Sequence, residues 1–117
     1  EYHVPTEGAW ERAARGADGR AFVWGDRFLE GAPWIAQETF QVAGGQPRDR
    51  SMFGILDLTG NVFEWCGPPT DGGELAVLRG GAFSTGEGFA AAPSRNPSYA
   101  DSRWIDRGFR LAARPKK

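Results

Sequence analysis

Apolar positions fall into a helical rhythm at one place in this chain. Between Thr6 and Arg15, Trp10, Ala13 and Ala14 stand three and four apart, which predicts a helix with Thr6 as its N-cap after Pro5 and Gly16 as its stop. The third helical position is Ala9 rather than Glu or Gln, so no capping box is expected, and Gly8 lowers propensity further. Alternation predicts three strands: Val62–Trp65 after a Gly60-Asn61 turn, Val77–Arg79 running into Gly80-Gly81, and Gly108–Ala112, where Phe109 and Leu111 oppose Arg110. The last two are expected to pair. Residues 17–52 are rich in Gly and aromatics without a sustained period, which predicts loops with short strands at Phe22–Trp24 and Phe40–Val42, ordered by contacts of Trp24 and Trp34. The 24 residues from Phe83 to Asp106 read as lacking regular structure, and such long segments are usually functional or disordered. Ala113–Lys117 reads as a frayed tail.

A length of 117 residues supports a single domain, 1–117. Hydrophobic residues at 40%, with five Trp and eight Phe, exclude a disordered chain. No apolar run approaches the ~20 residues of a membrane span. Cys66 is the sole cysteine, so the fold has no internal disulfide and rests on packing or a metal. The net charge of -1 hides an asymmetry: residues 1–78 hold six Arg against twelve acids, residues 79–117 eight Lys or Arg against three. Dispersal of these Arg residues argues against nucleic-acid binding and leaves internal pairing of the two halves as the ordinary reading.

Five short blocks occur in order: Pro5-Thr6-Glu7, Trp24-Gly25-Asp26, Gly60-Asn61-Val62-Phe63-Glu64-Trp65, Arg79-Gly80-Gly81-Ala82-Phe83 and Gly108-Phe109-Arg110-Leu111. Together they resemble the formylglycine-generating enzyme (sulfatase-modifying factor) family, a branch of the C-type-lectin-like fold. The resemblance implies an α+β fold, loop-rich, with one main helix and short antiparallel strands. It corresponds to the later part of a family domain, whose early strand and first helix would lie before Tyr2, so these are expected to be absent, replaced or supplied by another chain.

The resemblance carries the fold but not the eponymous chemistry. Family enzymes hold copper on two cysteines, four and nine residues beyond the second Gly of the Gly-Gly pair; counted from Gly81 these positions are Thr85 and Ala90. Neither supplies the thiolate that copper(I) takes, so no copper is expected. Cys66 reads as a small buried apolar residue, and His3, the sole histidine, leaves no histidine cluster for zinc or iron. The family also holds calcium at its Gly-Asn-Val motif, which the resemblance transfers to the carboxylates of Asp57 and Glu64 and the carbonyls of Gly60 and Val62. Hard oxygen donors on a turn suit that ion. Read without the resemblance, Asp57 caps the turn and Glu64 points from a strand to solvent.

The Phe83–Asp106 segment mixes small polar and aromatic residues, the composition of recognition loops. It also resembles the variable region of diversity-generating retroelement variable proteins, which use this scaffold. Candidate ligand-binding residues are Phe83, Ser84, Thr85, Phe89, Ser94, Asn96, Ser98, Tyr99, Ser102, Trp104 and Asp106, with Phe83, Phe89, Tyr99 and Trp104 as anchors and a protein or carbohydrate as the expected ligand. The leading reading is a non-catalytic recognition module on a calcium-stabilised scaffold. The alternatives are an ordinary family loop packed over the core, with Arg95 and Arg103 in structural ion pairs, or part of a formylglycine-generating oxidoreductase or iron-dependent sulfoxide synthase whose catalytic residues lie in another segment.

Overall fold

In the computed structural model, which describes residues 1–70 and 73–116, helix α1 spans Glu7–Arg15 as the periodicity predicts. Thr6 accepts a hydrogen bond from Ala9 N at 3.2 Å, and Gly16, at φ +64°, donates its N–H to Arg12 O to close the last turn. Glu7 in the first turn and Arg12 and Arg15 in the last complement the helix dipole. The buried face of α1 carries Trp10 and Ala14.

Strands β1 (Tyr2–His3), β2 (Phe63–Thr70), β3 (Leu75–Arg79), β4 (Arg95–Tyr99), β5 (Arg107–Gly108) and β6 (Ala112–Ala113) form two sheets. One sheet has four strands in the order β4-β3-β2-β5, and the other pairs the two chain ends, β1 with β6. Five sequence expectations change. Phe22–Trp24 is not a strand but a single bridge from Phe22 to Gly25, and Phe40–Val42 is irregular. The Gly108–Ala112 strand is split into β5 and β6, and β5 pairs in parallel with β2 rather than with β3, placing Phe63 opposite Arg107. Phe83–Asp106 is not without regular structure: it contains a 3₁₀ turn at Glu87–Phe89 and all of β4. Ala113 belongs to β6 rather than to a frayed tail. Pairing partners remote in sequence produce these differences, since periodicity within a segment does not say what lies beside it.

Opposed residues in adjacent strands share a face of the sheet. Trp65, Leu78 and Asn96 are aligned across β2, β3 and β4, and so are Glu64, Arg79 and Arg95. The Glu64 row faces α1, and its core contains Trp10, Ala14, Val23, Leu58 and Cys66. The Trp65 row faces the 83–106 segment over a smaller core of Phe63, Leu78 and Ala82. Gly80 forms the turn between these layers at φ +93°, where a Cβ would stand 2.9 Å from Leu58 O, so the Gly-Gly pair is a steric requirement.

Candidate functional site

The 83–106 segment lies along the loop-facing side of the sheet and gathers part of the predicted set. Asn96 and Ser98 project from β4 to that side, and the Ser98 hydroxyl is 3.1 Å from that of Ser102. Ser102 donates to Tyr99 O at 2.7 Å and accepts from Arg107 Nη1. Ser84 donates to Asp106 Oδ2 at 2.9 Å, and Asp106 Oδ1 lies 3.8 Å from Arg107 Nε. Trp104 is two-thirds exposed, at 67%, with its ring 5.8 Å from the Arg107 guanidinium. Trp65 lies at the same distance from that guanidinium. Arg107 is therefore held between two indoles, a cation–π arrangement that fixes its position.

Other predicted residues stand elsewhere. Phe83 is buried, 6.4 Å from the Phe40 ring, and serves the core rather than a surface. Thr85 bonds both backbone groups of Ala82 through its hydroxyl, and Ala90 is buried, its N–H donating to Glu87 O. Phe89 is partly exposed, its ring packed edge-on to Phe63. Ser94 is half-buried, its N–H donating to Ala91 O. Tyr99 is exposed, but strand alternation turns it to the other face with Arg95, beside a cavity it shares with Glu74 and Asp101. Arg95 makes two bonds to Glu7, at 2.6 and 2.9 Å, the structural ion pair considered from sequence. Trp65 and Arg107 were not among the predicted residues. The alternation Phe63/Trp65 against Glu64/Cys66 was the signal available for Trp65; nothing local to Arg107 shows that it lies between indoles.

On the opposite face the polar groups form a continuous chain. Arg79, at 1% exposure, donates to Glu7 and to Ala92 O and lies over the Trp10 ring at 5.1 Å. Trp10 donates to Glu64 Oε2 at 2.6 Å. Arg110 takes both oxygens of the same carboxylate, Nε to Oε2 at 2.7 Å and Nη2 to Oε1 at 2.6 Å. Glu64 thus does not point to solvent; it is 6% exposed. The Arg95 and Arg79 guanidinium groups hold the Glu7 carboxyl below the usual carboxylate range, the Arg95 hydrogen bond contributing most. Burial pushes the Cys66 thiol up to about 12, which keeps it protonated and unreactive.

A family model described as the sulfatase-modifying factor enzyme 1-like domain matches residues 1–115. The chain belongs to this family. Among its curated relatives are mouse inactive C-alpha-formylglycine-generating enzyme 2, 32% identical across 97% of this chain and 44% of the relative, and the Streptomyces coelicolor formylglycine-generating enzyme, 28% identical across 93% and 46%. The chain spans about half the length of these relatives. Treponema denticola variable protein 1 superposes with a TM-score of 0.84 at 27% identity, covering 97% of this chain and 48% of the other. Pseudomonas aeruginosa PvdO, at a TM-score of 0.79 and 22% identity over 94% of this chain and 51% of its own, shares the fold. The α+β, loop-rich, C-type-lectin-like architecture is thereby shown. Relatives named as active and as inactive both occur, so membership alone does not assign the oxidation.

The calcium implied for this sulfatase-modifying-factor-like domain can be tested against its donor set. Asp57, Val62 and Glu64 do line one cavity of about 450 Å³, together with Asn61 and Arg110, while Gly60 is outside its lining. The groups present do not fit a calcium ion as they stand. Calcium takes roughly six to eight hard oxygens. Both Glu64 oxygens are committed to Arg110 and Trp10, Asp57 Oδ2 accepts from Gly44 N, and Asn61 Oδ1 accepts from Gln41 N. Among the described residues, no group of three or more His, Cys, Asp or Glu is placed to hold a metal.

Proposed function

We propose that this chain is a non-catalytic recognition module that binds a protein or carbohydrate ligand on the loop-facing side of the sheet, through Ser84, Asn96, Ser98, Ser102, Trp104 and Asp106 together with Trp65 and Arg107. The observation that carries this reading is the pairing of an exposed Trp104, in cation–π contact with Arg107, with donors that lack a hydrogen bond. Asn96 Nδ2 and Arg107 Nε are buried and have no hydrogen-bond partner within the described residues. A fixed aromatic beside unmet donors is the combination that gives contact area at low entropy cost together with directional specificity. The likeness to Treponema denticola variable protein 1 supports placing recognition on this scaffold, and it favours a variable protein of a diversity-generating retroelement over an ordinary family loop.

The test is selection of binders from a displayed peptide library and a glycan array, followed by substitution. Trp104→Ala and Arg107→Ala should each abolish the selected binding while leaving the protein folded, with Trp104→Ala melting near the wild type. Binders indifferent to every substitution on this face would overturn the assignment. So would conversion of a cysteine-containing peptide to an aldehyde by the copper-supplied protein.

A further inference from the structure

We propose that the guanidinium of Arg110 is the resident cation of the Asp57–Glu64 turn, and that it makes the fold of this chain independent of calcium. The geometry is that of a charge already neutralised. Arg110 meets Glu64 as a two-pronged fork, the arrangement in which guanidinium and carboxylate bond most strongly. Its Nη2 also donates to the carbonyls of Leu56 and Asp57, each at 3.0 Å, so two oxygens of the turn converge on it as they would on a metal. Asp57 reaches that position at φ +57°, a left-handed conformation that aspartate tolerates better than most residues.

Occupancy of the carboxylate adds to this. A carboxylate offers about four lone-pair positions. Three hydrogen bonds, two from Arg110 and one from Trp10, already converge on the two oxygens of Glu64. A divalent ion binding to Glu64 would stand against a guanidinium that stays charged: burial is the largest influence and opposes ionisation, but the Glu64 hydrogen bond and the charges of Glu64, Asp57 and Asp49 together outweigh it. Unlike an exposed ion pair, this one is shielded: the Glu64 and Arg110 side chains are 8% and 26% exposed.

Thermal melting of the protein in EGTA and in millimolar calcium chloride decides the matter. The two curves should superimpose. Calcium at about a hundred times its dissociation constant would instead separate them by roughly 10 °C in a domain of this size, and that separation would overturn the proposal. Two variants keep the conclusion specific to Arg110. Arg110→Met should melt several degrees below the wild type in EGTA, and Arg110→Lys should fall between them, because a point charge satisfies Glu64 but not the two turn carbonyls. An Arg110→Met protein that melts with the wild type would equally refute the assignment. If that variant does not fold, the wild-type comparison still stands as the test.

Discussion

On the helix-facing side of the four-stranded sheet, the buried charges of Glu64 and Arg79 are met by charged partners, and Arg95, Glu7, Arg79, Trp10, Glu64 and Arg110 form one linked chain. On the loop-facing side, Arg107 Nε and Asn96 Nδ2 are buried with no hydrogen-bond partner, Arg107 Nε lying 3.8 Å from Asp106 Oδ1, and Trp104 projects into solvent; on the helix-facing side Arg79 Nε is likewise buried without a hydrogen bond. A buried polar group left unmet costs about 1–3 kcal/mol, so both faces carry such a cost, and what separates them is the ion-paired chain on one side and the exposed indole on the other. One face of the sheet is tied together by ion pairs, and the other leaves a large aromatic side chain exposed. The helix supplies the difference, since its first two turns present Glu7 and Glu11 to the sheet while the 83–106 segment brings mainly hydroxyls and aromatics.

The largest expected effect comes from breaking the satisfied face. Glu64→Leu strands the Arg110 guanidinium and the Trp10 indole N–H and should cost about 3–5 kcal/mol in denaturant unfolding. If Arg107→Ala costs as much, the contrast between the faces fails. The turn joining the two layers is expected to be next: Gly80→Ala forces a positive φ on a residue with a Cβ against Leu58 O and should cost about 1–3 kcal/mol.

Asp49 sharpens the comparison because it is an exception beside the Asp57 turn. It is fully buried, it accepts from Thr59 N through Oδ2, and its Oδ1 has no partner. Desolvation raises its pKa to about 7, opposed by the Thr59 bond. A folded pKa above the unfolded value means the native state holds the proton longer, so this group's contribution to stability declines as pH rises from about 4 to about 7, by up to about 1.4 kcal/mol per unit. Asp49→Asn should flatten that slope. Glu7 acts with the opposite sign: its lowered pKa gives a contribution present above the unfolded value and lost as the solution is acidified through the folded one. Urea melts of Asp49→Asn and of Glu7→Gln across this range separate the two groups.

The smallest effect on stability belongs to the open face. Trp104→Ala should change the unfolding free energy by no more than about 1 kcal/mol because its ring is exposed, and Arg107→Ala by about 1–2 kcal/mol because its largely buried guanidinium also bonds Ser102 and contacts two indoles. A loss of several kcal/mol on removing Trp104 would mean that the ring is part of the core, and the recognition reading would lose its anchor.

Much of the scaffold was legible along the chain. The Trp10, Ala13 and Ala14 spacing, Thr6 and Gly16 delimit α1 to within a residue, and Gly80-Gly81 marks the turn that the structure requires. Cys66 is buried and inert as its surroundings in the sequence indicated. The site was legible in part. Asn96, Ser98, Ser102 and Trp104 come together, but Phe83 turns into the core and Tyr99 to the far face, because β4 imposes an alternation that its residues, Arg95-Asn96-Pro97-Ser98-Tyr99, do not announce.

What the sequence determined by itself was therefore the helix, its caps, the glycine turns, the order of the family's blocks and the residue types of the 83–106 segment. Each depends on neighbours within a few positions, where periodicity and backbone sterics act directly. Only the tertiary structure decided which charge meets which. Glu64 and Arg110 are 46 residues apart and Glu7 and Arg95 are 88, and a carboxylate at either position carries no local mark of its partner. The turn that resembles a metal site is filled by a guanidinium for the same reason: charge and hydrogen-bonding capacity are satisfied by whatever group the fold brings within reach.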